Sequence, residues 1–396
     1  MRIGVITTSY PRLAEDPAGG FVRGLNLYLL GQGHQVEVIA AGEPSEAGRP
    51  EAARPAPDAD GIQVLRLPSG LFYRGGAPDA LARGGCAALV AAAGFQGRLL
   101  AACAARVRRY DALISHWLVP SGVAAALCAA GRPHVAIAHS SDVHLLRRLR
   151  LGGLGRWLSR RARLVYTSAS LQLPGAPGVV APMGITVSEF AATDEQRAAA
   201  RRELGLVRPT VLALGRLVPV KGLGGLLAAL QPLAGVELLV AGDGPLRRAL
   251  EQQAAPLGAR VRFLGEVRGA ARRRLLHGCD ALVLPSRVLP DGRTESAPVV
   301  LLEALAAGCP IVASAVGGAA ELLADAGLLV PADDPAALTA ALRQLLYTPG
   351  VAAACSARGR ARAAQFDWEV LAPRLLGRPL GCPAEVAPAP QAPRTH

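Results

Sequence analysis

From residue 2 onward, short runs of β-branched residues alternate with longer Ala-, Leu- and Arg-rich stretches of helical period, the pattern of βα units that build parallel sheets. The alternation comes as two series. Strands are expected near residues 2–8, 35–40, 62–67, 112–115, 135–138 and 164–167, and again near 211–214, 237–241, 261–264, 281–284, 311–314 and 328–330. A chain of 396 residues exceeds what one hydrophobic core usually serves, so each series is expected to fold around its own core. The fold class is therefore α/β, with two doubly wound Rossmann-like domains, residues 1–182 and 208–365, joined by a polar, Ala-rich connection at 183–207 and facing a central cleft. A Pro/Ala-rich stretch at 43–60 reads as a long surface loop and the tail 379–396 as disordered.

Other classes are disfavoured. The first strand leads into SYPRLAEDPAGGF and not G-x-G-x-x-G, which argues against a single dinucleotide-binding fold. Residues 112–131 carry no charged side chain, yet His116, Pro120 and Gly122 read as strand, loop and helix instead of a membrane span. The N-terminal MRIGVITTSYP runs straight into a strand pattern with no cleavable leader, so a cytoplasmic protein is expected. The seven cysteines, at 86, 103, 128, 279, 309, 355 and 382, include no C-x2-C pair, and neither a metal site nor a disulfide framework is expected. The net charge of +13 is carried by 42 Arg and one Lys; with few aromatic residues and no matching motif, nucleic acid is not an expected partner.

Ligands of doubly wound sheets bind at the carboxyl ends of the strands, and the motifs fall there. The most specific cluster runs Thr294-Glu295-Ser296-Ala297-Pro298-Val299-Val300-Leu301-Leu302-Glu303, two carboxylates eight positions apart across a helix start, with Pro298 suited to the first helical position. Such a pair can hold hydroxyl groups at opposite ends of one extended ligand. From spacing alone, a capping role for Glu295 and a surface role for Glu303 account for the pattern equally well.

The company of this pair is more telling. Together with Pro285-Ser286-Arg287, Ala306-Ala307-Gly308-Cys309-Pro310, Gly317-Gly318-Ala319-Ala320-Glu321, Gly215-Arg216-Leu217-Val218-Pro219-Val220-Lys221-Gly222 and Gly242-Asp243-Gly244-Pro245, it closely resembles the family-4 glycosyltransferases of GT-B architecture, over residues 1–376. The resemblance implies that Glu295 lies near a transferred sugar, with Ser296 and Ala297 beside it, and that Glu303 binds ribose hydroxyls. It implies that Arg216 and Lys221 hold the donor diphosphate, with Gly215 and Gly242 in the same site. Cleaving the anomeric bond leaves a diphosphate of growing negative charge, which fixed cations stabilise without a metal. Lys221 stands out as the one Lys of the chain, where a compact ammonium would meet phosphate. In the N-terminal half, Gly19-Gly20 resembles the family's glycine loop, and His139-Ser140-Ser141-Asp142 its His-Gly-x-Asp element, which places His139 over the reacting sugar. Ser296 and Ser140 stand where the family most often has glycine, and both bear on sugar preference more than on reaction type.

The implied reaction is transfer of a hexose-type sugar from a nucleoside-diphosphate sugar to a hydroxyl acceptor with retention, through an oxocarbenium-like transition state and with no cofactor. Catalytic roles fall to His139, Arg216, Lys221 and Glu295. The acceptor expected from the resemblance is a glycan or lipid-linked intermediate of cell-surface polysaccharide synthesis. A GT-B epimerase or phosphorylase, and a silent nucleotide-sugar-binding partner, are the alternatives. Phe366-Asp367-Trp368 resembles the start of the family's last helix, 366–378, which returns to the N-terminal domain. Residues 145–163 carry seven Arg among leucines and Trp157, a basic amphipathic stretch suited to an anionic membrane surface at the inner face.

Overall fold

The structure is a computed structural model that describes residues 1–13, 16, 18–44, 54–73 and 86–377. The N-terminal domain contains β1 (Arg2–Ile6), β2 (Gln35–Gly42), β3 (Ala56–Pro57), β4 (Gln63–Pro68), β5 (Ala112–His116), β6 (His134–Ala138), β7 (Arg163–Tyr166) and β8 (Val179–Val180), in the sheet order β3-β4-β2-β1-β5-β6-β7-β8. The C-terminal domain contains β9 (Thr210–Leu214), β10 (Glu237–Ala241), β11 (Val261–Gly265), β12 (Ala281–Leu284), β13 (Ile311–Ser314) and β14 (Leu328–Val330), in the order β11-β10-β9-β12-β13-β14. All pairings are parallel except β3 with β4. The central strands β5, β6, β9, β12 and β13 are buried along their whole length, which is why they read as continuous apolar runs and not as alternating ones.

The strand order reverses at β1 and at β9, so each sheet opens a crevice at its carboxyl edge. The two expected series agree with the observed strands to within a residue or two at each end. Additional are the two-residue edge strands β3, which folds back on β4 as a short hairpin, and β8, which pairs with β7. β3 falls within the expected surface loop at 43–60; residues 45–53 of that loop, and the expected tail 379–396, lie outside the described residues.

The N-terminal sheet is covered on both faces. Ile3, Val5, Ile114, Val135, Ile137 and Val165 pack with the helix Gly20–Gly31 on one face. The other face carries the helices Cys86–Arg106, Val123–Cys128, Ser140–Arg148 and Gly152–Ser159, through Phe95, Leu99, Ala124, Leu146 and Leu158. Residues 112–131 form β5, a turn and the helix Val123–Cys128, as the pattern implied. Among the described residues one helical stretch, Cys86–Arg109, is long and apolar enough to cross a membrane by length and composition; four of its residues, Phe95, Leu99, Cys103 and Val107, are buried on the sheet.

Two stretches of chain run between the domains side by side. Ile185 donates its N–H to the Phe366 carbonyl and accepts from the Trp368 N–H, at 3.0 and 3.1 Å. The helix Trp368–Leu376 then packs Trp368, Leu371 and Leu375 against Val22 and Leu25 of the N-terminal domain, and the Trp368 ring lies against the backbones of Gly24 and Gly184. Much of the stretch expected as a connection is helical: Asp194–Glu203, capped by Thr193 and Gln196, packs on Gly269–Gly278 and belongs to the C-terminal domain. Its polar composition reflects a half-exposed helix with an Arg201–Asp280 ion pair at 2.8 Å.

Candidate functional site

The carboxyl end of β9 turns sharply at Gly215, and the next residues lead through Arg216 to a short turn, Pro219–Lys221, that brings Lys221 back over Gly215. A Cβ on Gly215 would lie 3.2 Å from Lys221 Nζ, so the glycine leaves room for the ammonium. Gly242, after β10, takes a φ of 140°, and a Cβ there would collide with the Gly215 carbonyl oxygen. Gly242 thus shapes the site from behind Gly215.

Lys221 Nζ pairs with Glu295 Oε1 at 2.5 Å, while Glu295 Oε2 accepts from Ser286 Oγ at 2.7 Å. Ser286 follows β12, so the ends of β9 and β12 and the loop before the helix Val299–Ala307 converge on one carboxylate. Pro298 sits at the N-cap of that helix, one residue earlier than expected, and Glu303 lies on its inner face, only 8% exposed. There Arg272, from the helix Gly269–Gly278, donates through Nε at 2.8 Å and Nη2 at 2.5 Å to Glu303 Oε2.

The N-terminal wall is aromatic. The His139 ring lies 4.6 Å from Trp117 and 5.0 Å from Phe21, and stacks on His116 with Nε2 to Nδ1 at 3.3 Å. Burial pushes the His139 imidazole down to about 3 and holds His116 well below its usual range, so both are neutral at physiological pH. Asp142 joins the two loops that carry these rings, accepting from the Leu118 N–H at 2.5 Å and the His139 N–H at 3.0 Å.

Two cavities lie along the cleft, and Phe21 lines both. One, of about 380 Å³, is walled by Trp117, His139 and Ser140 on the N-terminal side and by Arg216, Glu295, Ser296 and Ala297 on the other. The second, of about 570 Å³, holds Glu303 and Arg272 together with Gly20, Arg23, Arg268 and Trp368. The two carboxylates therefore mark separate compartments of one trough. Gly20 faces the second compartment, whereas Gly19, with a φ of 77°, closes the turn ahead of the helix Gly20–Gly31 and packs on the Ser9 carbonyl.

Arg272, Ser286, His116, Trp117 and Phe21 were not among the expected site residues. Ser286 sits in one of the quoted motifs, where a role was legible in principle. Arg272 is the first of three consecutive arginines, and nothing local separates it from Arg273 and Arg274. The expected basic segment 145–163 is broken into two helices at Arg150, which takes a φ of 54° between exposed Leu149 and Leu151. Arg147 is engaged with the carbonyls of Ser170 and Gln172, and Arg161 lies over the Trp157 ring.

Two facing parallel-sheet domains, with a cationic turn at Lys221 and two carboxylates on one wall of the cleft, define the class of two-domain enzymes built around a nucleotide-sugar trough. Residues 208–348 match the glycosyl transferases group 1 domain and residues 19–193 the Glycosyltransferase Family 4 domain. The chain is 30% identical over 413 aligned positions to the D-inositol 3-phosphate glycosyltransferase of Stackebrandtia nassauensis, covering 92% of this chain and 88% of that protein. It is 34% identical to the GDP-mannose-dependent monoacylated alpha-(1-6)-phosphatidylinositol monomannoside mannosyltransferase of Corynebacterium glutamicum, over 49% of this chain and about half, 54%, of that relative's length. Sucrose-phosphate synthase from Thermosynechococcus elongatus shares the fold, with a TM-score of 0.73, 24% identity and coverage of 94% and 96% of the two chains. The chain belongs to the family-4 glycosyltransferases of GT-B architecture.

Proposed function

We propose that the chain transfers a hexose-type sugar from a nucleoside-diphosphate sugar to a hydroxyl group of a membrane glycolipid intermediate, with retention at the anomeric carbon. The observation that carries this reading is Glu295, which lines the compartment that His139 and Trp117 close from the other domain and which Lys221 and Ser286 hold from behind. Lys221 has three N–H donors, so its ammonium can keep Glu295 and still meet a diphosphate oxygen, with Arg216 beside it. As the bond from the anomeric carbon to the phosphate oxygen breaks, both cations meet the developing charge. The acceptor oxygen attacks from the face the diphosphate leaves, and its proton passes to a leaving-group phosphate oxygen. A neutral His139 hydrogen-bonds the sugar without opposing the positive charge on the ring. At the other end of the trough, Arg272 occupies Glu303 Oε2 and leaves Oε1 to a ribose hydroxyl.

The names of the two relatives support a polyol or inositol-lipid acceptor, and that of the Corynebacterium glutamicum relative includes GDP-mannose as donor. Purified protein is expected to melt higher in the presence of GDP or UDP and their sugars, with one base preferred, because a ligand that binds only the folded state stabilises it by mass action. A folded protein that responds to no nucleotide would favour the reading as a silent partner. Nucleotide-sugar turnover that is independent of every acceptor offered would favour epimerase or phosphorylase chemistry.

We further infer that the protein works at the inner face of the membrane. Leu89 and Val90 on the helix Cys86–Arg106, and Leu149 and Leu151 flanking Arg150, are exposed apolar groups on one layer of the N-terminal domain, interspersed with arginines. Co-sedimentation with vesicles containing phosphatidylglycerol is expected to exceed that with phosphatidylcholine alone and to fall as salt is raised. Equal binding to both compositions would remove this placement.

A further inference from the structure

The domains touch beside the sugar compartment through groups adjacent to the reacting ones. Ser140 Oγ donates to the main-chain carbonyl oxygen of Thr294 at 2.9 Å. Ser140 follows His139 and Thr294 precedes Glu295, so one hydrogen bond ties the shoulder of the N-terminal sugar-facing group to the shoulder of the C-terminal one. Nearby, Ser296 Oγ stands 3.5 Å from Thr167 Oγ1, and the Ala169 N–H points to Glu321 Oε2 at 3.4 Å. Both are at the long edge of hydrogen-bond range, which leaves the Ser140 bond as the well-formed one of the three. From below, the Gly318 N–H approaches the Glu295 carbonyl at 3.4 Å. The loop at 294–297 is therefore gripped from both domains at successive carbonyls.

The Ser140 hydroxyl is free for this task. It begins the helix Ser140–Arg148, but the N-terminal position is served by the Asp142 carboxylate bonded to the His139 N–H. A glycine at position 140 would have no donor to offer.

We propose that Ser140 is a positioning residue for the transfer step: through the Thr294 carbonyl it sets the spacing between His139 and Glu295 and holds the cleft shut over the sugar. Ser140 and Thr294 are both half-buried, so on opening each exchanges its partner for water, and the bond biases the closed state without locking it. The assignment rests on the donor-site reading given above.

The test compares wild type with Ser140→Ala, which removes only the hydroxyl, and Ser140→Thr, which keeps it. Small-angle scattering of the ligand-free full chain is expected to show a larger radius of gyration for Ser140→Ala, drawn back by saturating GDP or UDP. Release of nucleoside diphosphate from GDP-mannose or UDP-glucose is expected to show a roughly three- to tenfold lower kcat with little change in donor KM, the size of one neutral hydrogen bond. Ser140→Thr is expected to restore both readouts to within about twofold of wild type. Unchanged scattering and kcat in Ser140→Ala would overturn the proposal, as would a threonine variant that behaves like the alanine one. If neither GDP nor UDP raises the melting point of the wild type, the donor reading falls, while scattering of the ligand-free variants still decides what Ser140 does.

Discussion

Lys221→Ala is expected to lower kcat by a factor on the order of 10²–10³, the cost of removing one fixed charge from a developing oxyanion. The Lys221 side chain is 14% exposed and bonded to Glu295 before any donor arrives, so it is already oriented for the diphosphate it is proposed to meet. Its loss also leaves Glu295, 17% exposed, with Ser286 as the remaining bonded side chain of that cluster, so the carboxylate is freed to move toward the incoming phosphate and repel it. Lys221→Arg is not a conservative rescue. A Cβ on Gly215 would already touch the lysine tip at 3.2 Å, and a planar guanidinium needs more width than an ammonium. Steady-state release of nucleoside diphosphate checks this, and a Lys221→Ala enzyme within a few-fold of wild type would withdraw the diphosphate assignment.

Glu303→Ala is expected to act on binding. Losing a buried carboxylate that we propose accepts from ribose hydroxyls should weaken nucleoside diphosphate affinity about 10- to 100-fold, in line with about 1.5–3 kcal/mol for hydrogen bonds to a charged group. The same substitution strands Arg272, whose side chain is 18% exposed, in the wall of the second cavity. The free protein should therefore also lose stability, and the two effects must be separated. Arg272→Ala is the control: it disturbs the ion pair but leaves the ribose-facing oxygen in place. Calorimetric titration with GDP and UDP, with melting curves on the ligand-free proteins, distinguishes them. Equal affinity in Glu303→Ala and wild type would exclude the ribose role whatever happens to the melting point.

These two residues show how far the sequence carries. Lys221 and the Glu295–Glu303 pair are legible through the motifs that carry the family resemblance, since spacing alone left the two glutamates equally well explained as a cap and a surface residue. The fully buried strands β5, β9 and β12 are legible for a separate reason, since burial on both faces demands an uninterrupted apolar run.

The partners of those residues are another matter. Glu303 meets Arg272 across 31 positions, His139 stacks on His116 across 23, and Ser140 reaches Thr294 across 154. In each case the local pattern of the second residue equals that of its neighbours, an arginine among arginines or a threonine in a loop. The edge strands β3 and β8, of two residues each, exist only because β4 and β7 offer them a partner. Even the two serines that depart from the family pattern could be read from the chain only as substitutions near the sugar, and it took the facing domain to show the Ser140 hydroxyl bonded across the cleft.

By itself, then, the sequence determined two βα series and the strands each would bury, because these follow from periodicity, and through the resemblance that its motifs carry it pointed to the family and to the charged groups at the strand ends. Only the tertiary structure decided which cation holds which carboxylate, that the trough has two compartments, and how the domains grip the loop at 294–297. Those are contacts between elements far apart in the chain, and their geometry is set by how the two sheets and the returning helix pack, which no local pattern encodes.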